Sequence, residues 1–138
     1  MIILIRHGER ADSVTSEHSK VLCEYDPPLS SLGELQSELT AKCLKLLEKE
    51  IIIVSSPFLR CLQTANIIKS QIPNAFKNTI YIEETISEIL HPAWFDENVI
   101  EKLEVNKGNL TKYGLSHESL VNGFLEKNSI ARMNSIKR

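Results

Sequence analysis

The stretch Ile2-Ile3-Leu4-Ile5-Arg6-His7-Gly8-Glu9-Arg10 decides how the rest of the chain is read. Met1 to Ile5 is an unbroken, β-branched-rich apolar run, the pattern of a strand covered on both faces in a parallel sheet. A strand that ends directly in Arg-His-Gly delivers polar side chains to the carboxyl edge of such a sheet, where ligands bind in open α/β folds. Gly8 is expected to let the backbone turn sharply and approach a ligand closely. Arg6 and Arg10 carry planar guanidinium forks that match phosphate oxygens. His7 lies between them as a nitrogen nucleophile, and neighbouring cations favour its neutral, attacking form.

Beyond this stretch the chain alternates. Ala11 to Pro28 is polar, has no clean period and reads as a loop ended by Asp26-Pro27-Pro28. Ser31 and Glu34 form an S-x-x-E capping box, and Leu32, Leu35, Leu39, Cys43 and Leu46 recur at helical spacing as an expected apolar face. Ile51 to Val54 reads as a strand. A helix is expected from Ser56-Pro57, with Phe58, Leu62, Ala65, Ile68 and Ile72 on its buried face and Pro73 helping to stop it. Thr79 to Ile82 reads as a further strand. The β-α-β-α-β order implies an α/β domain with a mainly parallel sheet. Past Glu88 the reading is His91 to Phe95 as loop, Glu97 to Leu103 as a short helix, Lys107 to Gly114 as loop, Glu118 to about Ile130 as a helix, and a frayed basic end.

Composition narrows the functional classes. A chain of 138 residues is expected to form one domain with a substantial core. Its formal charge of -2 gives no reason to expect nucleic acid or an anionic membrane as partner. The three cysteines, Cys23, Cys43 and Cys61, form no CxxC pair; Cys43 and Cys61 read as buried thiols on helix faces, which suits a reducing, cytoplasmic setting. No signal peptide or membrane span is expected. No clustered Cys/His or carboxylate pattern calls for a metal, and no cofactor is expected. A nucleotide-binding doubly wound domain would need a GxGxxG or Walker sequence, which is absent.

Ser55-Ser56-Pro57-Phe58-Leu59-Arg60-Cys61-Leu62-Gln63-Thr64-Ala65 forms a second strand-to-helix junction. Arg60 in the first turn opposes the helix dipole, which makes sense if it neutralises a bound anion. Arg6-His7-Gly8, then Leu29-Ser30-Ser31-Leu32-Gly33, then Ser55 through Ala65 resemble, in order, three motifs of the histidine phosphatase (phosphoglycerate-mutase-like) superfamily: R-H-G, L-[ST]-x-x-G and S-S-x-x-x-R-x-x-Q-T-A. Arg6 to Arg10 together with Asp26-Pro27-Pro28-Leu29-Ser30 most resembles the phosphatase domains of the suppressor of T-cell receptor signalling proteins.

The resemblance implies a three-layer α/β/α fold and a metal-independent phosphomonoester hydrolase. His7 would be the nucleophile, Arg6, Arg10 and Arg60 would bind the phosphoryl group, Gly8 would fix the turn, and Glu88, after the third strand, would donate the proton. A protonated carboxyl is needed for that last role, so partial burial of Glu88 would help, whereas Glu83 and Glu84 read as solvated. The substrate would be a phosphorylated small molecule or a phosphoprotein. The family's second histidine stands in a V-x-H-[GA] segment after a late apolar strand, and no such segment follows here. His117-Glu118-Ser119 aligns with the G-E-S element that precedes it, while His18 and His91 read as solvent or packing residues. The chain is therefore expected to be a single domain, incomplete at its C-terminus. Alternative readings are a catalytically impaired relative that acts as a phosphate-binding or interaction module, and a phosphoglycerate-type mutase.

Overall fold

A computed structural model of the chain describes residues 1–47, 50–72, 75–88, 90, 95, 99–103, 110–116 and 120–122. Three strands, β1 (Ile51–Ser55), β2 (Ala75–Ile82) and β3 (Leu120–Asn122), form one sheet in the order β1-β2-β3, with both pairs parallel. Helix α2 (Leu59–Gln71) crosses over between β1 and β2 and packs against both. Helix α1 (Ser31–Lys45) packs on α2. A short helix, α3 (Val99–Lys102), lies inside the expected Glu97 to Leu103 segment. The fold is α/β with a parallel sheet, as the alternation of elements implies.

Helix α2 follows the apolar period. Phe58, Leu62, Ala65, Ile68 and Ile72 are all buried. Leu59, Leu62 and Ala65 meet Ile80 and Ile82 of β2 together with Leu110 and Leu115, while Ile68 and Ile72 meet Ala41 of α1. Each fully buried leucine or isoleucine stabilises the fold by about 1.5–3 kcal/mol.

Helix α1 does not follow it. Leu32, Leu35, Leu46 and Cys43 are exposed, and Leu39 retains 52% of its surface. The buried face is Gly33, Ser37 and Ala41, a line of small residues at i, i+4 and i+8. The reason is steric. A Cβ on Gly33 would lie 2.2 Å from the Glu9 carbonyl oxygen, and one on Gly8 would lie 2.3 Å from the Gly33 carbonyl oxygen. Only a smooth face lets α1 approach the backbone after His7 this closely. The cap also shifts by one residue: Ser30, in an extended conformation, accepts the Gly33 N–H, so Ser30 and not Ser31 caps the helix.

Two other expectations are corrected. Met1 to Ile5 is not a strand of the sheet: no residue of this run pairs with a described strand, and Leu4 is 93% exposed. Apolar continuity reports a preference for burial but names no neighbouring edge, and a strand exists only through its ladder. Leu120–Asn122, expected in a helix, instead pairs with Ile80 to Ile82, where three consecutive parallel partners outweigh weak helical patterning. Within the long loop, Ala11–Ser13 and Thr15–Lys20 are 3-10 turns. Pro73, His91 and residues 123–138 lie outside the described residues. No helix among the described residues is long and apolar enough to cross a membrane.

The small-residue contact makes a directional prediction. Gly33→Ala should destabilise the protein by about 1–3 kcal/mol through overpacking. Leu39→Gln, on the exposed stripe, should change stability by no more than about 0.5 kcal/mol. Urea unfolding followed by circular dichroism measures both, and the reverse ranking would mean that α1 packs through its leucines.

Candidate active site

The segment that carries His7 is held from two sides. Towards the loop, an isolated antiparallel bridge joins Arg10 to Leu29, with Ala11 N–H donating to the Pro28 carbonyl and Ser30 N–H donating to the Glu9 carbonyl, each at 2.9 Å. The Arg-His-Gly-Glu-Arg and Asp-Pro-Pro-Leu-Ser stretches are thus one structural unit. Ser30 also donates its hydroxyl to Glu9 Oε2 at 2.6 Å, and the Glu9 N–H donates to Gln36 Oε1 of α1 at 2.9 Å.

Towards α2, the Gly8 N–H donates to Thr64 Oγ1 at 3.1 Å, and the Thr64 hydroxyl donates to the Arg60 carbonyl at 2.9 Å. Gln63 Oε1 accepts the Leu29 N–H at 2.8 Å. Asp26 accepts the Leu59 N–H at 2.7 Å, capping a helix whose own N-cap residue, Phe58, provides no side-chain acceptor. The Gln-Thr pair after Arg60 therefore ties the two motifs together through buried hydrogen bonds. These roles of Asp26, Gln63 and Thr64 are not read from the sequence. Asp26 reads there as turn punctuation, although an acidic residue before Pro-Pro and a Gln-Thr pair on a buried helix start are polar groups that need partners.

His7 is half-buried and its Nδ1 lies 2.7 Å from the Gly8 carbonyl oxygen. A carbonyl can only accept, so Nδ1 carries the proton and Nε2 keeps the free lone pair. Burial holds the imidazole pKa below its usual value. The Gly8 hydrogen bond opposes that shift, while the positive fields of Arg60, Arg6 and Arg10 reinforce it. All three arginines are therefore close enough to act on His7. Gly8 has no positive φ, since Gly114 alone among the described glycines does. The requirement for glycine at position 8 is close packing on Gly33 rather than a left-handed turn.

The arginines differ in setting. Arg6 is exposed and shares a small polar cleft of about 80 Å³ with His7, Gly8, Gln36, Ser37, Thr40 and Thr64. Arg10 and Arg60 do not line that cleft. Arg10 forms a two-pronged pair with Asp12, Nε to Oδ1 at 2.9 Å and Nη2 to Oδ2. Arg60 is only 2% exposed, at the second residue of α2. Its guanidinium lies 4.4 Å from the Phe58 ring centroid, its Nη2 meets Glu88 Oε1 at 2.5 Å, and its Nη1 is 3.9 Å from Asp26 Oδ1. Arg60 Nε and Nη1 are buried without a hydrogen-bond partner, as are the hydroxyls of Ser56 and Ser87. Two unsatisfied guanidinium donors on a buried side chain are a condition in which an anionic ligand repays its desolvation.

Glu88 thus stands against Arg60, with its side chain 44% exposed. Glu83 is buried rather than solvated: it accepts from the Thr85 N–H and hydroxyl at the start of a 3-10 turn. Glu84 is exposed as expected. Among the described residues no three His, Cys, Asp or Glu side chains are grouped to hold a metal ion.

The family model of the histidine phosphatase superfamily (branch 1) matches residues 2–118. The chain belongs to the histidine phosphatase superfamily. No curated protein matches it significantly. Membership in the histidine phosphatases supports a phosphatase- or mutase-type activity in general terms, and the parallel sheet agrees with the family's α/β fold.

The electrostatics of His7 are directly measurable. Its imidazole should titrate below pH 6.5, and Arg60→Ala should move the midpoint upward; proton NMR of the ring reads both. Because the folded value lies below the unfolded one, the unfolded chain binds more protons between the two values. Stability attributable to this group is thus complete above about pH 6.5 and declines as the pH falls towards the folded pKa. A midpoint above 6.5 would contradict this arrangement.

Proposed function

We propose that the protein hydrolyses phosphomonoesters through a phosphohistidine at His7. The observation that carries the reading is the buried, half-satisfied Arg60 guanidinium acting on an imidazole whose free lone pair is on Nε2, with Glu88 in contact with the same guanidinium. In this reading Arg6, Arg10 and Arg60 bind the phosphoryl oxygens, and the close packing of Gly8 keeps His7 in place.

The chemistry balances in two displacements. His7 Nε2 uses its lone pair to form a bond to phosphorus as the ester P–O bond breaks, and the leaving oxygen takes a proton from Glu88, whose carboxylate takes up that proton from solvent as the phosphoryl group replaces it on Arg60. Water then attacks phosphorus as the N–P bond breaks, and its proton goes to the Glu88 carboxylate. Inorganic phosphate leaves and both side chains return to their starting state. The arginines stabilise charge on the equatorial oxygens, and general acid catalysis of this kind contributes about 10²–10⁴-fold.

The substrate in this reading is a phosphorylated small molecule or phosphoprotein, handled in the cytoplasm. The phosphatase domain in this reading is of the suppressor of T-cell receptor signalling type, on the resemblance of Arg6 to Arg10 and Asp26 to Ser30 to its motifs.

Turnover of para-nitrophenyl phosphate by the chain should fall to background in His7→Ala, and Glu88→Gln should lower kcat by about 10²-fold or more. Acid-labile phosphate should be trapped on the wild-type protein during turnover and be missing from His7→Ala. Equal rates for wild type and His7→Ala would end the catalytic proposal.

A further inference from the structure

We infer that Asp12 is a positioning residue for phosphate capture, acting through Arg10; the inference rests on the functional reading above. Arg10 and Asp12 meet side by side, Nε on one carboxylate oxygen and Nη2 on the other. This is the planar fork geometry that fixes a guanidinium in orientation as well as in place. It uses the Nε edge; among the described residues Nη1 of Arg10 meets no acceptor, in a side chain that retains 36% of its surface. Asp12 itself follows two residues after the bridge between Arg10 and Leu29, in the 3-10 turn Ala11–Ser13, so its backbone continues from the bridged segment that carries His7.

The pair stands on the segment that carries His7, three residues on, where the bridge to Leu29 fixes the backbone. Arg10 acts on His7 and is acted on by Glu88, and Asp12 is acted on by Arg60. Arg60 is held differently, by burial, the Phe58 ring and its contact with Glu88. Arg10 sits in a polar turn with a long, flexible side chain. Without a partner it would sample many rotamers, and ordering it on each binding event would weaken the complex. Asp12 imposes that order before the ligand arrives. A carboxylate beside an anion site would otherwise be a liability, since it repels the ligand.

That opposition gives the test its sign. Inorganic phosphate binding is measured by calorimetry for wild type, Asp12→Asn, Asp12→Glu, Arg10→Ala and the Arg10→Ala/Asp12→Asn double variant. A bystander carboxylate, once neutralised, would let phosphate bind more tightly. A positioning carboxylate gives the opposite result: Asp12→Asn should weaken phosphate binding by about three- to tenfold, although the site becomes more positive. Asp12→Glu, which keeps the charge but lengthens the arm, should also weaken it. In the Arg10→Ala background the further change to Asn should have an effect below about twofold, or tighten binding. In turnover, the Asp12→Asn defect should fall on KM rather than kcat, as for a group that helps hold the phosphate in ground and transition state alike.

Unchanged or tighter phosphate binding by Asp12→Asn overturns the inference, and so does an equal loss with and without Arg10. If wild type and His7→Ala turn over substrate equally, the hydrolase reading fails. The phosphate-binding cycle then still decides whether Asp12 orients Arg10.

Discussion

The contact between the backbone of Gly8-Glu9 and that of Gly33 is the constraint on which the rest depends. Either glycine, given a methyl group, would drive it into a carbonyl oxygen. The segment after His7 is therefore pressed flat against the first turn of α1, and α1 must turn its smallest residues inward to allow it. Once the segment is there, Thr64 and Gln63 of α2 can reach Gly8 and Leu29, and Asp26 can cap α2 in return. Histidine segment, loop and both helices are thus joined by side-chain and backbone hydrogen bonds.

Charge is then arranged on that unit unevenly. Arg60 is buried and pairs with a half-exposed carboxylate, Glu88, on one nitrogen, while Asp26 stands too far from Nη1 for a hydrogen bond. Burying a guanidinium without satisfying all its donors costs free energy, and the stacked Phe58 ring offsets only part of it. Such a residue is poor design for stability alone. Arg10 has the complementary setting, outside the core and saturated on one edge by Asp12. Phosphate recognition in the proposed function would then combine a buried, incompletely satisfied cation with a more exposed one oriented by Asp12.

The limits of sequence reading are clearest in α1 and at the N-terminus. The leucine stripe of α1 has good helical spacing, but so does the line Gly33, Ser37, Ala41. Hydropathy favours the leucines, and only the clash with Glu9 shows why the small residues win. Met1 to Ile5 makes the same point for strands: it has the composition of a buried strand and remains exposed, because strand formation depends on an available neighbour. Glu83, indistinguishable by composition from Glu84, is buried because its carboxylate caps a turn. The apolar positions read on α2, by contrast, are all buried, although Leu59 and the polar Arg60, Gln63, Thr64 and Lys69 join them.

Local sequence determined the α/β class, the crossover of α2 between parallel strands, and the family, because these depend on short-range period and on motifs written in contiguous residues. The candidate residues His7, Arg6, Arg10, Arg60 and Glu88 were named the same way. Tertiary structure decided which of them touch: Glu88 on Arg60, Asp12 on Arg10, Thr64 under Gly8, and the proton on Nδ1 of His7. These contacts, Arg10 with Asp12 aside, join residues far apart along the chain or hinge on where a carbonyl points. Both are set by how closely two backbones can approach, a quantity that no pattern of side-chain types encodes.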